Sequence, residues 1–225
     1  MIISFEKQKK ENCDRYNLYL DGKFFSGIEA ETIVKFGLKN GRDIDKDKIE
    51  EIVEESESNY AFNKALKLLS KSIKTENEVA SYLKSKKIND NSINLALNKL
   101  KEYRYIDDNI YIENYVNFYK QKYGKNKIRQ NLIQKGLEKD VIELYLNYDD
   151  EEEINKIVTE IKKQSKQKEI DLKLKQKLIR NLAYKGYNFD LIKNAFTKLG
   201  ESDESWDWYN RNREIKGERF WKLFK

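Results

Sequence analysis

Two groups of neighbouring carboxylates are the residues whose type and spacing most resemble a metal site. They are Asp107-Asp108 and the run DDEEE from Asp149 to Glu153, and divalent cations such as Ca²⁺ prefer carboxylate oxygens. Both groups lie where a helix is predicted to begin, and there a carboxylate accepts free backbone N–H groups and meets the positive end of the helix dipole. We therefore predict that these carboxylates cap helices, with cation binding as the alternative.

The usual residues of catalytic and cofactor sites are missing from the sequence. There is no histidine, so a Ser-His-Asp triad and a His-ligated zinc site are both excluded. The single cysteine, Cys13, rules out a multi-cysteine metal cluster and an internal disulfide. The stretch GKFFSGIE at 22–29 has Ile28-Glu29 where a phosphate loop requires Lys-Ser/Thr. The sequence therefore predicts a protein that is not an enzyme and holds no cofactor or metal.

Basic residues alternate with aromatic residues along YVNFYKQKYGKNKIRQNLIQKG at 115–136. Aromatic rings can stack on nucleic-acid bases while Lys and Arg meet phosphates. Helical periodicity instead favours Tyr115 and Phe118 as core residues, with only the cations exposed. The candidate partner-binding cations are Lys125, Lys127, Arg129, Lys135, Arg180 and Lys185.

Three segments, at 79–97, 128–146 and 178–196, repeat the same pattern and form the elements that would carry these cations. Apolar residues four apart, twice, with a basic turn between them, predict two short amphipathic helices joined by a tight corner. Gly136 and Gly186 lie at that corner, where helices commonly end in the left-handed conformation. Lys87 takes this place in the first repeat, which predicts a corner that is either strained or differently built.

The predicted fold is mainly α: an elongated array of three tandem three-helix repeats after a small β-region and a short helix. Two aromatic-rich runs around Asp21-Gly22 predict an antiparallel hairpin, to which IISFEKQ adds a third strand. Helical periodicity runs from Lys46 to Leu69, and the acidic EESESN within it is interpreted as a break between helices. The predicted segments are an N-terminal extension (1–59), the three repeats (60–106, 107–149 and 150–199) and an aromatic-basic tail (200–225).

Positive charge is concentrated on the repeats. Residues 60–199 hold 29 basic and 19 acidic residues, whereas residues 1–59 hold 10 basic and 14 acidic ones. This distribution indicates nucleic acid or an acidic protein surface as the partner, with a solvated Lys-rich face as the alternative.

The tail carries Trp206, Trp208 and Trp221 and either caps the third repeat or docks to a partner. Because a membrane span and a signal peptide are lacking and only one cysteine occurs, we predict a cytoplasmic protein.

The repeats resemble the RecX family, bacterial regulators of the RecA recombinase. The resemblance covers about residues 60–199 and rests on the Ala-Leu helix followed by Leu-Ser, the Ile106-Asp107-Asp108 step and a Gly-x-x-Lys-Ile…Leu…Lys-Gly pattern in the second repeat. The hairpin with DGKFFSGI…FGLKNGR is similar to the N-terminal extension of Firmicutes-type members. The chain departs from the family pattern at Lys87 and Ile112, which bears on local packing.

The resemblance implies an all-helical, non-enzymatic protein, which we expect to be a monomer without membrane contact. Such proteins lie along the groove of the RecA–single-stranded-DNA filament, where they inhibit strand exchange, ATP hydrolysis and co-protease activity. The six candidate cations would then meet acidic RecA surface or DNA phosphates, and Asp107-Asp108 would set the angle between the first two repeats. Two alternatives remain: a helix-turn-helix-like regulator that binds duplex DNA without RecA, and a structural helical adaptor.

Overall fold

The computed structural model of the protein describes residues 1–9, 14–166 and 169–200. These residues form three β-strands, which are β1 (Ile3–Lys7), β2 (Arg15–Leu20) and β3 (Lys23–Glu29). They also form ten helices: α1 (Ala30–Lys35), α2 (Lys46–Leu69), α3 (Glu76–Ser85), α4 (Asp90–Glu102), α5 (Asp108–Tyr119), α6 (Lys125–Gln134), α7 (Lys139–Tyr145), α8 (Asp150–Ser165), α9 (Leu172–Tyr184) and α10 (Phe189–Lys198). Cys13 and the three tryptophans of the tail lie outside the described residues, so the predictions for them stay predictions.

The N-terminal strands form an antiparallel sheet in the order β1-β2-β3, which confirms the predicted meander. Asp21 and Gly22, between β2 and β3, both have positive φ angles of 46° and 78°. Two successive left-handed residues define a type I′ turn, whose twist matches that of the flanking strands. The inward-facing side chains of Ile3, Leu18 and Ile28 are fully buried and pack against α2.

Helix α2 is continuous over 24 residues, so the predicted break at EESESN is wrong. Ser56 and Ser58 of this stretch are both buried, and Ser56 and Glu57 hydrogen-bond to β3. Ser56 Oγ accepts a hydrogen bond from the backbone N–H of Glu29 at 2.9 Å, and Glu57 accepts one from the Ser26 hydroxyl at 2.9 Å. The acidic, serine-rich stretch is therefore a polar packing surface of one long helix.

The two ends of α2 belong to different hydrophobic cores. Ile49 and Ile52, near its start, pack with the sheet residues, whereas Ala61 and Ala65 pack with α3 and α4 in the first repeat. The predicted segment boundary between residues 59 and 60 therefore lies inside this helix. One helix serves both as the support of the sheet and as the first helix of the first repeat.

The described chain forms two compact units, Met1–Tyr111 and a second unit that begins at Ile112. The first holds the sheet, α1 to α4 and the start of α5. The second holds the rest of α5 and the helices of the second and third repeats, whose apolar positions at the predicted spacing are buried, including Ile128, Ile142, Leu178 and Ile192. A mainly helical fold with three three-helix units after a small sheet is thus confirmed. Among the described helices, none combines the length and the hydropathy that crossing a membrane requires.

Candidate partner-binding surface

The corners between the second and third helices of the repeats share one backbone conformation. Gly136 and Gly186 have φ angles of 84° and 86°, and Lys87 has a φ of 61° at the matching place in the first repeat. The residue after each glycine donates its N–H back into the helix, from Leu137 to Leu132 O at 3.3 Å and from Tyr187 to Leu182 O at 3.2 Å. The first corner therefore has a lysine in a conformation that disfavours side chains.

The carboxylates at 107–108 accept hydrogen bonds from the starts of two helices. Asp107 Oδ1 accepts from the backbone N–H groups of Asn109 at 2.9 Å and Ile110 at 3.1 Å. Asp108 Oδ1 accepts from the N–H of Glu76, the first residue of α3, at 2.9 Å, and burial raises the pKa of Asp108. Over the described residues, no group of three or more His, Cys, Asp or Glu side chains is arranged to hold a metal ion.

The second and third repeats meet through two glycines. The Gly124 N–H donates to Lys185 O at 2.9 Å, and the Asn126 N–H donates to Gly186 O at 3.2 Å. A Cβ atom on Gly124 would lie 2.5 Å from Gly186 O, and one on Gly186 would lie 2.3 Å from the Lys127 nitrogen. The two backbones can approach this closely only because both residues lack side chains. Sequence reasoning missed this role of Gly124, although a glycine in place of a capping side chain was a signal.

Glu153 is a buried acceptor at the same junction. Its side chain is 2% exposed, and Oε1 accepts from the backbone N–H of Lys125, the first residue of α6, at 3.1 Å. Burial raises the pKa of Glu153 despite that hydrogen bond and the nearby Lys125 ammonium. Burial, together with the charge of Glu153, also raises the pKa of Tyr187 to about 12. Within DDEEE, Asp149 caps α8 by accepting from Glu151 N at 3.0 Å, whereas Glu153 holds α6 against α8.

Three of the six candidate cations are half-buried and lie in ion pairs. Lys125 Nζ lies 2.7 Å from Asp150 Oδ1, Arg129 Nη2 donates to Glu143 Oε2 at 2.9 Å, and Lys185 Nζ lies 2.6 Å from Glu160 Oε1. Their side chains are 21%, 24% and 28% exposed, respectively. The exposed face predicted for Arg129 is therefore only partly exposed. The pattern of one helix could not show this, because each acidic partner lies on another element.

The other candidate cations lie in different surroundings. Lys127 is half-buried, with Nζ 5.6 Å from the ring centroid of Tyr184, and Arg180 is exposed, with Nε donating to Gln176 O at 3.3 Å. Neither side chain forms an ion pair in the described part of the chain, so both keep their positive charge at the surface. Lys135, beside the Gly136 corner, is half-buried.

Aromatic side chains form a strip, defined here as Phe118, Tyr119 and Tyr123, at the end of α5. The rings of Tyr119 and Tyr123 are nearly parallel, with 5.6 Å between centroids and 25° between planes. Phe118 meets the Tyr119 ring edge-on at 4.9 Å and is 75% exposed, so the prediction of a core position is wrong for Phe118. The buried residues of α5 are Ile112 and Val116. At about 100° per residue, Phe118 points about 200° away from Val116.

Comparison with protein families gives consistent matches along the chain. The model of the regulatory protein RecX N-terminal domain matches residues 1–45. The models of the first, second and third RecX three-helix domains match residues 61–100, 107–146 and 150–196, in that order.

Individual relatives match over nearly their full length. The chain is 34% identical to a regulatory protein RecX of Clostridioides difficile, over 90% of this chain and 98% of the relative. It is 36% identical to that of Clostridium perfringens strain SM101, over 90% and 97%. Among solved structures, a crystal structure of regulatory protein RecX has a TM-score of 0.60 at 27% identity, over 86% of this chain and 98% of that one. RecX from Lactobacillus salivarius has a TM-score of 0.58 at 29% identity, over 64% and 97%.

Proposed function

The chain belongs to the RecX family of regulatory proteins, and from this membership we propose that it regulates the RecA recombinase, mainly as an inhibitor. The observation that carries the proposal is the succession of four RecX family domains along one chain. In this proposal the protein binds as a monomer along the RecA–single-stranded-DNA filament in the cytoplasm. It suppresses ATP hydrolysis, strand exchange and co-protease activity by occupying the filament rather than by chemistry of its own.

The charge distribution supports a filament as the partner. The repeats carry a balance of +10 over residues 60–199, which favours an acidic protein surface or DNA phosphates. A filament repeats the same protomer, and three similar units in one chain can contact several protomers at once. Weak contacts of this kind add through a raised effective concentration.

The candidate cations divide into two roles under this proposal. Lys127 and Arg180 contact the filament directly, because neither forms an ion pair within the described residues. Lys125, Arg129 and Lys185 first hold the repeats in place through Asp150, Glu143 and Glu160, and they contribute the outer part of their charge to the partner. Lys135 extends the same basic surface at the end of α6.

The proposal is tested by adding the protein to RecA on single-stranded DNA and measuring ATP turnover. We expect turnover to fall at stoichiometric amounts, and unchanged turnover would refute the proposal. Combining Lys127→Ala with Arg180→Ala is expected to raise the concentration needed for half-inhibition about tenfold, because lost ionic contacts at two sites weaken filament binding.

A matched control removes two cations outside the repeats. Lys23 and Lys39 are exposed residues of the N-terminal region, and replacing both with alanine should leave the half-inhibiting concentration nearly unchanged. Equal losses in the two double variants would mean that net charge, not the named surface, determines binding. A further experiment measures binding of the protein to duplex DNA without RecA. Tight, sequence-dependent binding to the duplex would favour the helix-turn-helix-like alternative.

A further inference from the structure

We infer that the aromatic strip of Phe118, Tyr119 and Tyr123 is a stacking site for unpaired bases of single-stranded nucleic acid. The inference deepens the proposed function and rests on it, because a RecA filament carries single-stranded DNA. The inference places the contact with bases at one site in the second repeat. The positive charge of the repeats, by contrast, accounts only for contacts with phosphates.

The rings are available because the helix buries its other face. Ile112 and Val116 are 1% and 4% exposed, and they supply the core contacts of α5 in the second unit. Phe118 is not among the buried residues of α5 and remains 75% exposed. Exposing the apolar surface of a large ring to water is unfavourable, and stacking on a base removes part of that surface from water. Phe118 is therefore the leading platform, and the edge-on contact with Tyr119 holds it in place.

Cations flank the rings at positions suited to a phosphate backbone. Lys122 Nζ lies 5.3 Å from the centroid of the Tyr123 ring, and Lys120 follows Tyr119 in the sequence. Neither lysine forms an ion pair in the described part of the chain. Beyond Tyr123, the Gly124 N–H donates to Lys185 O in the third repeat. The Tyr184 ring of that repeat is 69% exposed, and its centroid lies 5.6 Å from Nζ of Lys127 in the second repeat. Aromatic rings and cations thus continue across the junction.

The composition of the strip favours nucleic acid over a hydrophobic protein partner. Residues 117–123 read NFYKQKY and contain no aliphatic side chain. The centre of a protein–protein interface is usually depleted of charge, and lysine in particular is rare there. Ring faces between lysines and amides instead match the known way in which proteins bind single strands, whose base faces are open. A duplex covers those faces, so the site selects single strands.

The test compares two labelled oligonucleotides of equal length by fluorescence anisotropy with the full chain. One strand consists only of deoxythymidine nucleotides, and the other has the same number of phosphates but abasic sugars. The parent protein should bind the thymidine strand more tightly. Phe118→Ala should raise the Kd for that strand about fivefold to a hundredfold, the range typical of one lost stacked base, and leave the abasic Kd unchanged. Phe118→Trp should retain binding because it preserves a ring face.

Phe24→Ala is the matched control. Phe24 is 63% exposed and also lies edge-on to a tyrosine, with 6.0 Å between its ring and that of Tyr19. Because Phe24 lies on the sheet, its loss should change neither Kd. Circular dichroism checks that each variant keeps the helical content of the parent.

Three outcomes would overturn the inference. They are equal binding of the two strands by the parent, equal weakening of both strands by Phe118→Ala, and an unchanged thymidine Kd in Phe118→Ala. If the last came with lost inhibition of RecA, it would identify the strip as a protein contact. The ATP-turnover assay on the same samples separates the two proposals: base-dependent binding without any effect on RecA would refute the proposed function but not the stacking site.

Discussion

Glu153 and Glu143 lie in the same unit, but their surroundings shift their pKa values in opposite directions. Burial raises the pKa of Glu153. The Arg129 guanidinium, which Glu143 binds through both oxygens, lowers the pKa of Glu143. Compared with the unfolded chain, the folded protein therefore favours the protonated carboxyl of Glu153. It favours the carboxylate of Glu143.

The stability of the Glu153→Gln variant, relative to that of the parent, should therefore increase as the pH rises. The parent's Glu153 contributes its full stability below the ordinary pKa of glutamate, and this contribution is lost as the pH rises through the raised pKa. Glutamine keeps an oxygen for the Lys125 N–H and does not titrate. We expect the difference in unfolding free energy, variant minus parent, to increase as the pH rises from the ordinary pKa of glutamate, about 4.3, through the raised pKa of Glu153. Urea denaturation followed by circular dichroism measures it.

Glu143→Gln is the control of opposite sign. The carboxylate of the parent contributes stability above the ordinary pKa of glutamate, and this contribution is lost as the pH falls through the lowered pKa. The free energy of unfolding of the variant should therefore be about 0.2–1 kcal/mol lower than that of the parent near neutral pH, as is typical of partly exposed ion pairs. The difference should be smaller in acid. If both variants changed with pH in the same direction, the burial argument for Glu153 would be wrong.

At the scale of elements, the helix corners show how one backbone conformation accepts different residues. The second and third repeats place glycine at the left-handed position, and the first repeat places Lys87 there with φ of 61°. The corner keeps its geometry because the flanking helices pack through buried residues, including Val79, Leu83 and Ile93. The strain at Lys87 is thus offset by packing in the first repeat.

Lys87→Gly should stabilise the first repeat. Glycine enters the left-handed region without the steric cost of a side chain, and its own loss of chain entropy offsets only part of the gain. We expect the free energy of unfolding to rise by about 0.5–1 kcal/mol. The reciprocal change, Gly136→Lys, should lower it by a similar amount. Chemical denaturation of both variants checks the pair, and a loss of stability in Lys87→Gly would show that the lysine side chain outweighs the backbone strain.

Considered over the whole chain, each of the two units contains a place where neighbouring parts share a helix or pack backbone against backbone. Helix α2 serves two cores in the first unit. In the second unit, Gly124 and Gly186 bring the second and third repeats into backbone contact. A change in α2 therefore affects both the sheet and the first repeat, and a change at Gly124 or Gly186 affects two repeats, as expected of stacked units.

Gly124→Ala should destabilise the second unit. Its φ of −74° is open to any residue, so the cost comes from the 2.5 Å approach of the new Cβ to Gly186 O. We expect a loss of about 1–3 kcal/mol, as for overpacking in a core. Hydrogen exchange should rise in both α6 and α9, because the two elements share the contact.

Gly27→Ala is the matched control for this clash. A Cβ at Gly27 would also come within 2.4 Å of another atom, but that atom is Nε of the Arg15 side chain rather than a backbone atom. We expect a smaller loss of stability, with no change of hydrogen exchange in α6 or α9. Equal losses in the two variants would contradict the claim that backbone contact is the cause.

The sequence by itself determined which segments are helices and how they repeat. Apolar residues such as Leu83, Leu132 and Leu182 are fully buried at the matching position of each repeat, because helical spacing directly reflects which side of a helix faces a core. The hairpin was equally predictable, since Asp-Gly favours the type I′ turn. These are local properties, and neighbouring residues along the chain encode them.

Only the tertiary structure decided what each charge and ring does. Lys125 and Arg129 carry the same sequence signal as Lys127, yet they lie in ion pairs with Asp150 and Glu143, on other elements. Phe118 fits a helical periodicity but lies outside the stripe that the fold buries. Gly124 has no special φ, and its role arises from a backbone more than sixty residues further along. Such contacts join residues distant in sequence, so no local pattern specifies them.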